Sequence, residues 1–333
     1  MTDDRGTEIV MYWIRSERDS RNPNPIFGPM LEQYAAAFAS VNVELRWISV
    51  DDLVIGSTGG KPSVHVFGER VDPHKAFFHT MLMSSPHNRI DAWRHLTTYA
   101  ALEAAGFFVT VPFMHSVMND DKMLTNLQVF RGAGRAVPTV RINTRGWGTN
   151  GVRVDEDVLP AAGISFPAVV KPVDWDGGHS VFLAESQEKL DALLSIAGSA
   201  DLTMVVQPYL GSDTVDCRVF CVDGEPFVMN IRRPVDGNIA GNVAQGGAWG
   251  LVPVPDELAA AARKVAAVFA LPYLSVDFLV AGDEWWLSEA ELDAGSPDVP
   301  MAAIRFDSYR KRFADFVRTG ADQRTWQFIG GAQ

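Results

Sequence analysis

Residues 275–297 read SVDFLVAGDEWWLSEAELDAGSP, and the acids in this stretch organise the rest of the chain around them. Asp277 falls on one predicted strand, Glu289 and Glu291 on the next. Carboxylates spaced i and i+2 point to the same face of a strand, so with Asp277 alongside, three acids can converge on one point. Such a cluster repels itself unless cations neutralise it. A hard divalent ion does so with few protein ligands, because Mg²⁺ completes its shell with water and substrate phosphates. The same residues would also suit an exposed hairpin with acidic outer positions, so the choice between the two rests on the remaining sequence.

The chain has 333 residues, enough for two or three compact subdomains with their own cores. A formal net charge of −12 argues against a general binder of nucleic acid or anionic membrane, either of which needs a basic footprint. There is no apolar run of the ~20 residues a membrane span requires, and the opening MTDDRGTEIV is acidic without an apolar signal core, so a cytoplasmic protein is expected. Cys217 and Cys221 are the only cysteines. They sit on the same face of a strand, too far apart along it for a disulfide, and are expected as buried thiols in a reducing compartment. The seven histidines show no zinc-like spacing, and only His179, inside a glycine-rich loop, invites a functional reading.

Ile9–Ile14 and Val43–Val50 read as strands around a helical pattern at 27–39, a βαβ beginning. An apolar segment at 75–83 leads to a helix at 91–105 that closes at Gly106, then to a strand at 107–112. The alternation predicts a small, mainly parallel α/β domain over residues 1–115. A helix at 121–132 and the strand VPTVRI follow, and 160–200 reads strand, glycine loop, strand, helix, giving a second subdomain over 116–205. Strand-rich sequence from 206 to 333, with a helix at 256–270 and a closing helix at 300–319, forms the third.

The residues that can carry chemistry are distributed across these pieces. Lys171 ends the apolar strand FPAVVK beside a loop holding Gly177 and Gly178. That arrangement can set a point charge on a phosphate while loop amides cover it; a lysine snorkelling from a strand end would look the same. Lys122 lies in the acidic run MNDDK, where an ordinary surface helix would also place it. The strand VVQPYL, ending in Gln207, Pro208, Tyr209 and Leu210, offers an edge for a flat base, although Tyr209 and Leu210 also suit a core. In DCRVFCVDGEP, Asp216 and Arg218 alternate with apolar positions, which places them on the opposite face, and Asp223-Gly224 marks a hairpin turn. Arg232, Arg233 and Asn242 follow, and guanidinium forks suit phosphate and carboxylate.

Taken in order, these residues read: helix lysine, strand lysine with glycine loop, base-binding edge, Asp-x-Arg, Arg, Asn-x-x-x-Gly-Gly, Asp, Glu-x-Glu. That order resembles the ATP-grasp superfamily, within it the branch holding glutathione synthetase and the ligase that adds glutamates to a ribosomal protein. QPYL, D-x-RVF-x-VDGEP, R-x-P, GN-x-x-x-GG, VD and SEAE between Val206 and Pro297 carry it, with MNDDKMLTNLQVF as the lysine-bearing helix. The order covers residues 116–297, and the first 115 residues match only in general architecture. The resemblance implies a three-subdomain α/β ATP-grasp fold with an N-terminal parallel α/β domain, and ATP between the central and C-terminal parts. It implies that Lys122 and Lys171 hold the phosphates under the Gly177-Gly178 loop and that the backbone of Gln207 to Leu210 reads adenine. Asp213 would touch the ribose, Asp216 would join the nucleotide-binding set, and Asp277, Glu289 and Glu291 would hold two Mg²⁺ ions, with Mn²⁺ as a substitute. Arg218, Arg232, Arg233 and Asn242 would surround the reacting phosphoryl group.

Members of the family activate a carboxylate as an acyl phosphate, which an amine or another nucleophile displaces. The residue types agree, since phosphoryl transfer asks for positioning and charge neutralisation more than covalent participation. Three departures stand out. Glu291 replaces the asparagine usual in this branch; LDAGSP lengthens the turn behind it; and Ala240 stands where relatives carry an arginine near the reacting carboxylate, a role Arg233 could take. In SSPHNR, Arg89, beside His87 and Asn88, is a candidate contact for a substrate carboxylate, or part of a solvated loop. Three functions are compatible with this pattern: a ligase of amino-acid-like small molecules, a ligase forming side-chain ester or amide crosslinks in a precursor peptide, and a non-catalytic nucleotide-binding module. The expected partners are small carboxylate and amine substrates or a precursor peptide, with no nucleic acid or membrane, and the oligomeric state is open, a homodimer included.

Overall fold

The computed structural model describes residues 9–15, 28–82, 91–144, 154–175, 177–233, 248–296 and 298–320. Its N-terminal part begins with the expected βαβ unit. Strand β1 (Ile9–Ile14) runs parallel to β2 (Val43–Ile48) on one side and β6 (Ala76–Thr80) on the other, with α1 (Gly28–Ser40) as the crossover. Between β2 and β6 the chain inserts an antiparallel sheet of β3 (Leu53–Thr58), β4 (Lys61–Val66) and β5 (Glu69–Arg70), which the sequence pattern did not separate from loop. Helix α2 (Ala92–Ala104) starts at Asp91, whose side chain accepts the Arg94 N–H, and ends before Gly106 at φ 86°. The strand expected at 107–112 is reduced to a single parallel bridge, Phe78 to Val109. Pairing stops there because Pro112, which has no N–H to donate, becomes the N-cap of α3 (Phe113–Asn119).

The helix expected at 121–132 is also interrupted. Asp121 caps a single turn, α4 (Lys122–Leu124), and the chain then widens into a π-turn over Thr125–Val129 that the Phe130 N–H closes on the Thr125 carbonyl. A central four-stranded sheet follows, in the order β7 (Val140–Asn143), β10 (Thr203–Pro208), β8 (Ala168–Pro172) and β9 (Phe182–Ala184), all neighbours antiparallel. Helix α5 (Val158–Ala161) and α6 (Gln187–Ser199) belong to this part, and Leu190 and Leu194 of α6 pack on Val170, Met204 and Val206.

The third part is a five-stranded antiparallel sheet ordered β13 (Ala248–Val252), β12 (Glu225–Arg233), β11 (Val215–Val222), β14 (Tyr273–Ala281) and β15 (Glu284–Glu291). One face is apolar and is covered by α7 (Asp256–Phe269), whose Ala262, Val265 and Phe269 meet Cys217, Val219, Leu274 and Val276. Each such side chain taken out of water contributes about 1–3 kcal/mol. Both cysteines are free and buried in that layer, and burial pushes their thiols up to about 11 and about 12, which suits packing and not reactivity. The opposite face is polar toward β15 and apolar where α8 (Val299–Thr319) covers it. There Phe306 stacks on Phe38, and Phe220 and Tyr273 join Met11, Trp13 and Phe77 in one core.

Two boundaries differ from the expected division. Strand β10 crosses the 205/206 boundary and pairs with β7 and β8, so Gln207 and Pro208 belong to the central sheet. The segment 113–137 packs on the C-terminal sheet: Met118, Val129 and Phe130 share a core with Val219, Phe278 and Leu287, and the Val137 N–H donates to the Leu287 carbonyl at 2.9 Å. Sequence periodicity locates elements but does not say which sheet a helix covers, and that accounts for both differences. Among the described residues, no helix is long and apolar enough to cross a membrane.

Candidate active site

The alternation of β14 decides the site. Leu274, Val276 and Phe278 enter the core beneath α7, which leaves Tyr273, Ser275 and Asp277 on the other face. In the ladder with β15, Asp277 stands opposite Glu289 and Ser275 opposite Glu291, but Phe278 stands opposite Leu287. Ser288 is therefore the extra residue of a β-bulge. Without the bulge, Glu289 would share the buried face of Leu287, which is 0% exposed. With it, carboxylate oxygens of Asp277, Glu289 and Glu291 all lie within 4.8 Å of one another.

Strands β11 and β12 bring the compensating charges onto the same face. Arg218 holds Asp277 with both arms of its fork, at 2.8 and 2.7 Å, and also pairs with Glu291. Arg232 donates to Asp216 at 2.7 Å and to Asp277 at 2.6 Å. Lys171, at the end of β8 in the other sheet, donates to Glu289 at 2.6 Å and closes the ring across the cleft. Burial pushes the Asp277 carboxyl up, yet Arg218 and Arg232 together outweigh it and bring it to about 2. Burial works on Glu289 in the same sense, and Lys171, then Lys122, overcome it and leave that group below its ordinary range. Asp216 has less compensation, and burial leaves it at about 6. Arg218 is held well above its usual value: burial opposes its charge, and Asp277 and Glu291 more than restore it.

The donor set fits a hard divalent cation. Asp277 spends both oxygens on the two arginines, whereas Glu289 and Glu291 each engage one oxygen and, among the described residues, keep the other without a hydrogen bond. Two such oxygens on adjacent positions of one strand, beside a third carboxylate, match the all-oxygen preference of Mg²⁺ or Mn²⁺. Lys122 reaches the same cleft from α4, where its ammonium donates to the carbonyls of Val173 at 3.2 Å and Trp175 at 2.8 Å. These carbonyls begin the glycine loop, in which Gly177 and Gly178 both adopt φ 71°, a conformation side chains rarely tolerate. Replacing Lys171 with alanine is expected to weaken ATP binding roughly 10- to 100-fold, the loss of one charge-assisted hydrogen bond. Titration calorimetry with unchanged affinity would reject a phosphate role for this residue.

The remaining expected residues divide. Gln207 is buried and its amide donates to Thr139 at 2.9 Å, so its side chain serves the central sheet. Tyr209 and Leu210 are half-buried beyond it, and Asp213 is exposed. Arg233 is not brought to the cluster. One residue beyond Arg232, it takes the other side of β12 and is exposed. Ala240, Asn242, His87, Asn88 and Arg89 lie outside the described residues. Sequence reasoning missed two acids at the edge of the cleft, Asp120 and Asp293. Burial, reinforced by Asp174 for the first and Glu291 for the second, pushes each up to about 7. Their visible signals were the acidic run MNDDK for Asp120 and the acid behind Glu291 in LDAG for Asp293.

Comparison with known proteins places this geometry in context. The family model described as a RimK-like ATP-grasp domain matches residues 139–302. A glutathione synthetase of Gloeobacter violaceus is 35% identical over 95 residues, 28% of this chain and 29% of that protein. This match and those to two probable alpha-L-glutamate ligases span only 29 to 41% of the relatives' own lengths. Among solved structures, D-cycloserine synthetase DcsG superposes with a TM-score of 0.61 at 16% identity, covering 92% of this chain and 99% of that one. The macrocyclase MdnC of Microcystis aeruginosa, solved with the precursor peptide MdnA, gives a TM-score of 0.60 at 15% identity, with 91% and 100% covered. At these identities the likeness is one of fold, and together with the family-model match it is consistent with the ATP-grasp fold.

Proposed function

Because residues 139–302 of this chain match the family model of a RimK-like ATP-grasp domain, we propose that the protein is an ATP-dependent ligase that activates a carboxylate and joins it to an amine. The observation that carries this reading is the ring of Asp277, Glu289 and Glu291 interlocked with Arg218, Arg232 and Lys171 at the meeting of two sheets. A carboxylate oxygen of the donor attacks the γ-phosphorus of ATP, the bond to the bridging oxygen breaks, and ADP leaves. The amine nitrogen then attacks the acyl carbon, the C–O bond breaks, phosphate departs with the electron pair, and the nitrogen gives up a proton.

Each group of residues has a task in that sequence. Lys122 and Lys171 bind the phosphates from the side of the glycine loop, and Gly177 and Gly178 let backbone amides come close to them. The backbone after Gln207 lines the adenine edge, Asp213 is within the stretch that would meet the ribose, and Asp216 holds Arg232 in place. Arg218 and Arg232 lower the cost of charge on the transferring phosphoryl group, in a site where few water molecules compete. Asp277, Glu289 and Glu291 would hold Mg²⁺, two ions in this reading, which neutralises phosphate charge when bound. The three-part division suits this scheme, with ATP between the central sheet and the C-terminal sheet and the N-terminal part shaping the acceptor side.

Amino-acid-like donor and acceptor are the substrates we infer, in line with the glutathione synthetase and glutamate ligase relatives. A second reading, side-chain ester or amide formation in a precursor peptide, draws on the likeness to the MdnC complex. Incubating the protein with ATP, Mg²⁺ and a defined pool of amino acids should release phosphate, with a condensed product in the mass spectrum. ATP binding without phosphate release in any pool of amino acids or peptides would instead favour a non-catalytic nucleotide-binding module.

A further inference from the structure

Arg305, on α8, is 0% exposed, and its hydrogen bonds go to neutral groups. Its Nε donates to the Tyr309 hydroxyl at 2.9 Å, one terminal nitrogen to the Ala294 carbonyl at 2.8 Å, and the other to Nε2 of His79 at 3.3 Å. His79 accepts because it is neutral: burial, then the Arg305 charge, hold it well below its ordinary value, and its Nδ1 is engaged by Thr110. The guanidinium carbon lies 4.2 Å from the ring centre of Tyr273 and 5.6 Å from that of Trp13. Among the described residues no ion pair balances the charge; Asp293 interacts with it electrostatically without forming one. A buried cation surrounded by neutral contacts is costly unless an anion joins it.

The groups around it are hydrogen-bond donors in the same condition. Among the described residues, Nε1 of Trp13 and the hydroxyl of Ser275 are buried and make no hydrogen bond, and the buried hydroxyls of Tyr273 and Ser296 have only each other within reach. They are also contiguous with the active site. Tyr273, Ser275 and Asp277 follow one another on a single face of β14, and Ser275 stands opposite Glu291. Ser296 follows Glu291 by five residues, and its N–H donates to the hydroxyl of Tyr34, whose ring stacks on Trp13 at 5.5 Å. A guanidinium, an indole N–H and three hydroxyls complement the two oxygens and four lone-pair sites of a carboxylate.

We propose that Arg305, Trp13, Tyr273, Ser275 and Ser296 form a subsite for the free carboxylate of an amino-acid-like acceptor, which holds its amine toward Asp277 and Glu291. This assignment rests on the ligase reading for its meaning but not for its measurement. Ser275 and Asp277 are about 7 Å apart along the strand, a span that an α- or β-amino acid bridges. The subsite would also explain the rebuilt LDAGSP turn: Ala294 and Ser296 belong to it, and both are fixed by contacts to this cluster. It favours small acceptors over residues within a peptide, because a peptide-internal residue has its α-carboxyl in an amide bond and no free α-carboxylate beside its amine.

The test uses the full chain with Mg²⁺ and ADP. Thermal-shift titrations with free L- and D-amino acids are compared with the same compounds as carboxamides. At least one free acid is expected to stabilise the protein and its carboxamide not to. Tyr273→Phe and Ser275→Ala, each a small change that keeps the core filled, should weaken that acid about tenfold and leave ATP affinity unchanged. Arg305→Met should abolish the response, with Arg305→Lys recovering part of it. If no free acid binds, if carboxamides bind equally well, or if both hydroxyl variants bind as the wild type does, the subsite is rejected. Acid binding without ATP-dependent phosphate release would reject the ligase reading and keep the subsite; turnover of carboxamides as fast as acids would do the reverse.

Discussion

Replacing Asp277 with alanine is expected to destabilise the protein by about 3–5 kcal/mol, the usual consequence of removing one partner from a buried ion pair. The carboxylate accepts three hydrogen bonds from Arg218 and Arg232, and their side chains, like its own, are 12% exposed or less. Without it, Arg232 keeps Asp216 and Arg218 keeps Glu291, but the three hydrogen bonds that Asp277 accepted are lost from two buried guanidinium groups. Urea unfolding in metal-free buffer at pH 7 would measure the loss, and a change below about 1 kcal/mol would show that the arginines are satisfied another way. The pH dependence follows from the direction of the shift. Asp277 sits at about 2 against an ordinary 3.8, so its contribution is fully present above pH ~4 and disappears as pH falls through ~2. The difference between wild type and variant should therefore be large at pH 7 and smaller at pH 3.

Glu289→Gln is expected to leave the fold intact and reduce turnover on the order of 10³-fold, the scale seen when a group that stabilises transition-state charge is removed. The amide oxygen can still accept from Lys171, whose ammonium now donates to Glu289 at 2.6 Å, so packing at the meeting of the two sheets is retained. What changes is the negative charge available to a divalent cation. Circular dichroism and thermal unfolding close to wild type, with phosphate release lost, would support the metal role; turnover near wild type would sink it. Excess Mg²⁺ should recover part of the activity if the defect is one of affinity.

The two variants probe different properties of one cluster, and how much of it could be read from the chain alone differs by residue. Glu289 and Glu291 at i and i+2, with Asp277 on the preceding strand, follow from strand periodicity, and so does the separation of Arg218 from Cys217 and Val219. Lys171 at a strand end beside Gly177 and Gly178 was equally legible. Arg233 was misjudged because residue type and position in a motif order do not record which side of a strand a residue takes, and its neighbour Arg232 has the inward side. Helix 121–132 was drawn too long because a π-turn obeys no distinctive sequence period. Arg305 gave no signal at all, since an arginine in a helix is usually a solvated one and only the packing of α8 against Trp13, His79 and Tyr273 buries it.

Strand and helix periods were enough for an α/β chain, and the order of lysines, glycines, arginines and acids, by its resemblance to the ATP-grasp superfamily, named the fold and nominated the charged residues of the site. These are properties of local spacing, which the chain carries in one dimension. The tertiary structure alone decided which charges meet. Lys171 faces Glu289 across 118 positions of sequence, the Ser288 bulge turns Glu289 out of the core, and α8 buries Arg305 against the N-terminal sheet. Contacts of that kind depend on how sheets pack and where a ladder slips, and no periodicity in the sequence records either.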